Sequence, residues 1–251
     1  MSTLRRLAGL TKTLAIYYGK PLRLRRERRL YGDILGLGPG SLGFDIGAHV
    51  GNRVRTWLTL GAEVVAVEPQ SGPLSILRRL YGGNPRLFIV PGACGPAEGT
   101  QTLHVCETSP TLSTLSAGWI DRVREAESFR GIRWDSEELV PVTTLDRLIE
   151  AHGMPDFVKI DVEGFEADVL AGLSSPVPQL SFEFLPASIE VALRCVDMLA
   201  DLGDYEYNYS MVETMKMVAD EWLRPEELKD RLSAMPRLGP SGDAYARLRG
   251  R

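Results

Sequence analysis

Short apolar runs alternate with helical segments from residue 42 onward, and this alternation restricts the chain to a small group of folds. The apolar runs predict strands over residues 42–46, 63–67, 86–90, 156–161 and 179–184. Helical patterns occupy residues 52–60, 73–81, 145–152 and 165–173. Strands that are apolar on both faces belong to parallel sheets covered by helices. The pattern therefore predicts a doubly wound α/β domain.

Several weaker signals complete this prediction. Residues 205–209 and 244–248 alternate in polarity and predict a terminal antiparallel pair of strands. An insertion between the third and fourth strands, residues 101–116, combines a strand-like segment with a Ser/Thr-rich loop. Thr143 and Asp146 have the spacing of a capping box, which predicts that Thr143 caps the helix that follows.

The N-terminal segment differs from the rest of the chain in charge. Residues 1–31 carry nine Lys or Arg and one acidic residue, Glu27, so this segment is near +8 while the remainder is near −12. Apolar residues at helical spacing, interrupted at Pro21, predict one or two amphipathic helices. We divide the chain into a basic helical extension, residues 1–35, and a main domain, residues 36–251. A charge run of this kind is most often a solvated face, but it also suits RNA or an anionic membrane surface.

Composition excludes several classes of protein. With 251 residues and 44% hydrophobic content, the chain suits one well-buried domain with a short extension. The three cysteines are odd in number and widely spaced, which fits neither a disulfide framework nor a zinc site. The sequence has no run of about 18 apolar residues and no signal-peptide pattern, so we expect a soluble, cytoplasmic protein without a transmembrane segment.

The junction after the first predicted strand carries the sequence FDIGAHVG, residues 44–51, where an open α/β sheet binds its ligand. Gly47 allows close approach of the backbone to a ligand, and Gly51 allows the helix to start near the strand. Asp45 can accept hydrogen bonds from a cationic or hydroxylated group. Glu68 ends the second strand, and its two oxygens match the adjacent hydroxyls of a ribose. In this order and spacing, these residues predict a nucleotide-type ligand.

A dinucleotide is the competing ligand at such a sheet. The sequence contains a literal GxGxxG at residues 38–43, but this run precedes the first strand, whereas phosphate binding needs the glycines after a strand and at a helix start. At the junction between the first strand and the following helix, the glycines are Gly47 and Gly51, and the acidic residue Asp45 precedes them. This favours a cofactor without phosphates, such as a sulfonium compound.

Four segments together resemble the FkbM family of methyltransferases. They are FDIGAHVG at 44–51, VEP at 67–69, TLD at 144–146 and VKIDVEGFE at 158–166. The resemblance spans residues 42–186. It implies a Rossmann-like methyltransferase fold, with a mostly parallel seven-stranded sheet and an antiparallel terminal strand. It also implies an S-adenosylmethionine cofactor and O-methylation of a hydroxyl on a sugar, glycan or secondary metabolite.

The resemblance also assigns cofactor-binding residues. It implies that Asp45, Gly47 and Gly51 face the methionine part of the cofactor. Glu68 then faces the ribose, and Ala93, after the third strand, lies near the adenine. His49 stands where the family commonly has Asn, and we include it among the cofactor-binding residues. Asn does not titrate, whereas His changes charge near neutral pH.

The carboxylates after the fourth strand are the candidate catalytic groups. Methyl transfer from a sulfonium is an in-line displacement, so positioning matters most and a base need only remove the acceptor's proton. Asp161 ends the fourth strand and Glu163 follows it; we expect these two to be catalytic, with Glu183 as a weaker third member. Three interpretations compete: a general base, a site for a divalent cation such as magnesium, and a structural network with Lys159.

The acceptor and the partners are less constrained than the cofactor. We expect a small-molecule or glycan acceptor, and we do not expect nucleic-acid binding, because no aromatic-interleaved basic module accompanies the arm. Peripheral membrane contact through the arm remains open, and the oligomeric state is not predicted. The alternatives are an RNA methyltransferase that uses the basic arm, a nicotinamide-dependent sugar oxidoreductase and a non-catalytic nucleotide-binding module. The sequence lacks the Tyr-xxx-Lys pair expected of such an oxidoreductase.

Overall fold

Ten strands occur in the computed structural model, which describes residues 2–19, 21–126 and 129–250. They are β1 (Leu42–Ile46), β2 (Glu63–Glu68), β3 (Leu87–Pro91), β4 (Ala93–Cys94), β5 (Gly99–Val105), β6 (Ser136–Thr143), β7 (Phe157–Ile160), β8 (Gln179–Phe184), β9 (Tyr205–Met211) and β10 (Gly242–Leu248). Seven of them form the main sheet, in the order β3-β2-β1-β7-β8-β10-β9. β10 is antiparallel to both of its neighbours, while the pairs from β3 to β8 are parallel. The predicted doubly wound sheet with an antiparallel terminal strand is confirmed.

Helices cover both faces of this sheet. They are α1 (Ser2–Tyr18), α2 (Pro21–Arg28), α3 (Asn52–Leu60), α4 (Ser71–Tyr81), α5 (Ala117–Val123), α6 (Leu145–His152), α7 (Glu166–Leu170), α8 (Ile189–Leu202) and α9 (Pro225–Ser233), with a π-helical turn, Arg29–Ile34, after α2. One buried cluster joins the sheet to α6, α7, α8 and α9. The opposite face packs on α3, α4 and the π-helical turn, through Tyr31, Trp57 and Leu77. No described helix is long and apolar enough to cross a membrane.

A topological switch point lies between β1 and β7. The chain runs outward from β1 through β2 to β3, and then returns so that β7 pairs with the other side of β1. The connections that leave β1 and β7 therefore diverge to opposite sides and open a crevice at the carboxyl ends of the strands. The motif after β1 and the carboxylates after β7 meet at this point.

The insertion between β3 and β7 forms a second sheet, in the order β4-β6-β5. The strand-like segment predicted over 101–106 is β5, but its partner β6 was not predicted. The outer positions of β6 face solvent and include Glu137 and Pro141, which gave the segment the composition of a loop.

Three helices differ from the prediction: α4 begins at Ser71 and not at residue 73, α6 has a different cap, and α7 is shorter. The proposed cap at Thr143 is wrong: Thr144 precedes α6, and its hydroxyl accepts a hydrogen bond from the backbone N–H of Arg147 at 3.1 Å. Thr143 instead ends β6 and pairs with Cys94. The helix predicted over residues 165–173 is shortened to α7 because the chain turns at Gly172, where a Cβ atom would lie 2.3 Å from the carbonyl oxygen of Gly95.

Candidate active site

A cleft of about 930 Å³, its open mouth included, lies at the carboxyl ends of β1, β2 and β7. Eight residues predicted from the sequence line it: Asp45, Gly47, His49, Glu68, Ala93, Asp161, Glu163 and Glu183. Gly51 is not among the lining residues; it packs beneath Leu77 and Tyr81 at the start of α3. The structure thus brings together residues that are more than 100 positions apart in the sequence.

The turn after β1 is closed tightly against the segment that follows β7. Gly47 has a φ of 87°, and a Cβ atom there would lie 2.0 Å from the carbonyl oxygen of Asp161. The backbone N–H of Asp161 donates to the carbonyl of Ile46 at 3.0 Å. Only glycine fits at this position, because any side chain would separate the two segments that form the floor of the cleft.

Asp45 presents an unused acceptor to the cleft. Its side chain is 2% exposed, and its Oδ2 has no hydrogen-bond partner among the described residues. Burial raises the pKa of Asp45 to about 6, although the nearby Lys159 opposes this shift. Buried polar atoms are normally paired. The free oxygen therefore suits a ligand that brings a donor, above all a cationic one.

His49 is a second buried group without a partner. Its φ of 50° is unusual for a residue with a side chain, and neither ring nitrogen has a hydrogen-bond partner within the described chain. Burial lowers the pKa of His49 to about 4, so the imidazole is neutral at physiological pH. A neutral imidazole offers one donor and one acceptor, as an Asn side chain does. His49 in place of the Asn common in the family therefore changes the shape of the site more than its charge.

Glu68 is held by the backbone on both sides. Its Oε2 accepts the N–H of His49 and its Oε1 accepts the N–H of Gln70, each at 2.8 Å. Burial raises the pKa of Glu68 to about 8, although these two N–H groups lower it in part. Since each carboxylate oxygen can accept more than one hydrogen bond, both keep acceptor capacity toward the cleft.

Three carboxyl groups gather at the carboxyl ends of β7 and β8. Oxygen atoms of Asp161, Glu163 and Glu183 lie within 4.8 Å of one another. Burial, and next the charge of Asp161, raise the pKa of Glu163 well above its usual value. Burial does the same for Glu183, whose pKa is raised further by Glu163. Such a cluster holds a proton more tightly than isolated acids do.

Lys159 ties one member of this cluster into the sheet. Its ammonium lies 2.5 Å from Oδ2 of Asp161 and 3.8 Å from Oδ1 of Asp243. Burial alone would lower the pKa of Lys159, but Asp161 and Asp243 together raise it. The expected lysine–carboxylate network is therefore present for Asp161, whereas Glu163 and Glu183 have no ion pair with a described cation.

The backbone at Glu163 is also unusual. Glu163 has a φ of 56°, in the left-handed region, and its carbonyl oxygen accepts the hydroxyl of Thr114 at 2.7 Å. Thr114 belongs to the Ser/Thr-rich loop, which also contributes Ser113 to the wall of the cleft. Strained backbone of this kind is frequent at functional sites, where the surrounding structure holds a side chain in place.

An ion network that the sequence did not reveal closes one side of the cleft. The guanidinium of Arg53 lies 2.5 Å from Oε1 of Glu27 and 2.9 Å from Oε2 of Glu213, while Arg23 lies 2.7 Å from Glu213. Burial favours the neutral acid at Glu213, but Arg53 and Arg23 hold its pKa at about 2. Arg53 and Glu213 are 160 residues apart, so no local pattern could have identified the pair.

Helix α1 covers the same side through aromatic contacts. Tyr17 lines the cleft, with its ring centroid 6.3 Å from that of His49 in an edge-on arrangement. The guanidinium of Arg23 lies 4.6 Å from the centre of the Tyr17 ring. The neighbouring Tyr18 donates its hydroxyl to the carbonyl of Val50 at 2.9 Å. The described part of the basic extension is therefore packed against the cleft.

Comparison with known proteins gives one family. Residues 45–211, about two thirds of the chain, match the model of the methyltransferase FkbM domain. The search of curated proteins gave no match.

Three solved structures illustrate the similarity at the level of coordinates. An O-methyltransferase from Bacillus cereus in complex with SAH is 10% identical, with a TM-score of 0.46 over 96% of this chain and 90% of that one. Precorrin-6y C5,15-methyltransferase from Geobacter metallireducens is 12% identical, with a TM-score of 0.44 over 90% and 86%. Fibrillarin from Aeropyrum pernix, with natively bound S-adenosyl-L-methionine, is 11% identical, with a TM-score of 0.42 over 89% and 74%.

Proposed function

The chain belongs to the FkbM methyltransferase family, and from this premise we propose that it transfers the methyl group of S-adenosylmethionine to a hydroxyl oxygen of a sugar, glycan or secondary metabolite. One observation carries the cofactor assignment: Oδ2 of Asp45 and both ring nitrogens of His49 are buried without hydrogen-bond partners among the described residues, and these two side chains line the cleft beside Glu68. Buried polar atoms left unpaired at the switch point of an α/β sheet are the feature that a polar cofactor would satisfy.

The residues of the cleft fit the parts of this cofactor in turn. Asp45 would accept from the ammonium of the methionine moiety, and the neutral His49 would donate to its carboxylate. Glu68 would accept from both ribose hydroxyls, while Ala93 and Leu103 offer an apolar wall for the adenine. When bound, the cofactor supplies an electrophilic methyl group on a positively charged sulfur.

Glu163 suits the role of proton acceptor better than Asp161. Asp161 is already engaged by the ammonium of Lys159, which lies 2.5 Å from its Oδ2. Glu163 has a raised pKa and shares its environment with Glu183. A carboxylate whose pKa approaches the working pH takes a proton from a hydroxyl most effectively. Glu163 would remove the hydroxyl proton as the oxygen attacks, and Asp161 would hold Lys159 and the adjoining backbone in place.

The same carboxylates could instead hold a divalent cation. Hard oxygen ligands suit magnesium, and Asp161, Glu163 and Glu183 are close enough together for one ion. We favour the base because Lys159 already supplies a positive charge at this cluster. Activity that persists in a chelator and does not rise with added magnesium would agree with the base; activity abolished by the chelator and restored by magnesium would favour the metal.

Transfer of a radiolabelled methyl group tests the proposal. Wild type, Glu163→Gln and the exposed control Glu63→Gln are incubated with methyl-labelled S-adenosylmethionine and, separately, with a glycan and metabolite extract or with total RNA. We expect label on a hydroxyl of the extract, with the rate reduced about 10²- to 10⁴-fold in Glu163→Gln and unchanged in Glu63→Gln. Label on RNA, or an unchanged rate in Glu163→Gln, would contradict the acceptor class or the assigned base respectively.

A further inference from the structure

The outward side of α2 carries a groove that the cleft does not use. Four arginines line it, Arg25, Arg26, Arg28 and Arg29, with Leu22 and Leu60 between them. We call this surface the arginine groove. All four arginines are exposed, and none forms an ion pair with another described residue. Asp33 also lines the groove and contributes one negative charge against four positive ones.

Helix α2 separates two kinds of basic residue. Arg23 points inward, where Glu27 and Glu213 neutralise it at 2.9 and 2.7 Å. Glu27 is almost fully buried and is also held by Arg53 and by the hydroxyl of Thr56. The inner side is therefore a complete network that fixes the helix on the domain. The outer arginines take no part in it and are available to an external anion.

We propose that the arginine groove is a docking surface for an anionic phospholipid bilayer. Four guanidinium groups beside one carboxylate form a strongly cationic surface, and lipid phosphates are complementary to it. The groove also has apolar members: Leu22 is 62% exposed and Leu60 is partly exposed. Aliphatic side chains among arginines suit the boundary between lipid headgroups and acyl chains.

The apolar surroundings favour a bilayer over RNA. Ile16 on α1 and Ile34 on the π-helical turn are each 45% exposed, which adds aliphatic surface on the two elements that flank α2. Single-stranded RNA is bound mainly by stacking of bases on aromatic rings. The groove is lined by arginine, leucine and aspartate side chains and offers no ring for stacking within the described residues.

Docking through this groove would hold the cleft near a membrane surface. Helix α2 has eight residues, so the groove and the inward Arg23 network lie within about 12 Å of each other along its axis. An acceptor that is itself anchored in the bilayer, such as a lipid-linked glycan, would then meet the cleft at high local concentration. This consequence rests on the proposed function, whereas the docking surface does not.

Vesicle co-sedimentation of the full chain tests the docking surface. The vesicles contain phosphatidylcholine alone or mixed with phosphatidylglycerol. The groove variant replaces Arg25, Arg26, Arg28 and Arg29 by Ala; the control variant replaces four exposed arginines elsewhere, Arg78, Arg79, Arg130 and Arg133, by Ala. Both variants lose the same charge, so a difference between them measures position and not net charge.

We expect the wild type to bind the anionic vesicles and not the neutral ones. Binding should fall at least tenfold in the groove variant and less than twofold in the control variant, because each basic residue near an anionic surface strengthens binding about fivefold. Leu22→Ser should weaken vesicle binding severalfold without changing retention on heparin. Circular dichroism and S-adenosylmethionine affinity should match the wild type in every variant, since the altered side chains are exposed and lie outside the cleft.

Three results would overturn the proposal. One is absence of binding to anionic vesicles by the wild type. Another is equal loss of binding in the groove and control variants, which would indicate an effect of charge alone. The third is an unchanged affinity of Leu22→Ser for vesicles together with a stronger affinity of the wild type for RNA than for vesicles. Failure of the proposed methyl transfer would leave the vesicle result unaffected, so the two can be told apart.

Discussion

Replacement of Glu68 by Gln tests how the cleft holds its cofactor. Both carboxylate oxygens accept buried backbone N–H groups, from His49 and Gln70, at 2.8 Å. A Gln side chain keeps one acceptor oxygen and replaces the other by an NH₂ donor. One of the two backbone N–H groups must then lose its acceptor, and the ribose loses one of its two acceptors while the other becomes neutral.

The size of both effects follows from these contacts. A buried donor left without an acceptor costs about 1–3 kcal/mol, so Glu68→Gln should lower the free energy of unfolding by about that amount. The lost hydrogen bond to a charged group costs about 1.5–3 kcal/mol of cofactor binding. At about 1.4 kcal/mol for each tenfold change, the Kd for S-adenosylmethionine should rise about 10- to 150-fold. The effect should be fullest above about pH 8, where Glu68, with a pKa of about 8, is ionised.

Isothermal titration calorimetry and urea unfolding measure these two changes. Glu63→Gln is the matched control, because Glu63 begins the same strand that Glu68 ends and is exposed. We expect the control to match the wild type in both experiments. The reasoning is refuted if Glu68→Gln binds S-adenosylmethionine within twofold of the wild type above about pH 8.

Three further predictions follow from the geometry of the cleft. Gly47→Ala should lower the free energy of unfolding in urea by about 2 kcal/mol or more, because its Cβ atom would collide with the carbonyl oxygen of Asp161. The control Gly83→Ala, whose Cβ atom would meet no atom within 4 Å, should lower it by less than about 0.5 kcal/mol. Arg53→Ala should cost about 1.5–3 kcal/mol in the same assay, because it removes a charged hydrogen bond from the buried Glu27, which keeps only Arg23 and Thr56 as partners. A loss below about 1 kcal/mol would contradict the network. Between about pH 4.5 and 8 the wild type should become less stable as pH rises, because the raised pKa of Glu68 lets the folded state bind more protons than the unfolded chain. In urea unfolding at several pH values, Glu68→Gln should reduce this dependence of stability on pH. The same dependence in Glu68→Gln and in the wild type would contradict the prediction.

The sheet and the placement of the residues after β1 in the cleft were predictable because their signals are local. The residues after β1, from Asp45 to Gly51, lie at one strand–turn–helix junction, and β1 itself has the predicted bounds. The structural network with Lys159, one of the three interpretations of the carboxylates after β7, is present as an ion pair with Asp161. Patterns of two to four residues suffice where the backbone geometry is itself set by neighbours in the sequence.

The remaining parts depend on contacts that no short pattern encodes. Arg53, in α3, contacts Glu213, which follows β9, and Tyr17, in α1, contacts His49. Glu213 lies in an irregular segment between Val212 and Met215, both of which have positive φ values. Its charge resembles that of any surface acid. Its role becomes visible only when the tertiary structure brings two arginines to it.

Calorimetric titration of the wild-type protein with S-adenosylmethionine and, separately, with NAD tests the central claim most directly. The cleft predicts binding of S-adenosylmethionine, with competition by S-adenosylhomocysteine, and no heat of binding for NAD, because the glycines after β1 do not form a phosphate-binding turn. Binding of NAD, or of neither compound, would contradict the assignment of Asp45, His49 and Glu68 to a sulfonium cofactor.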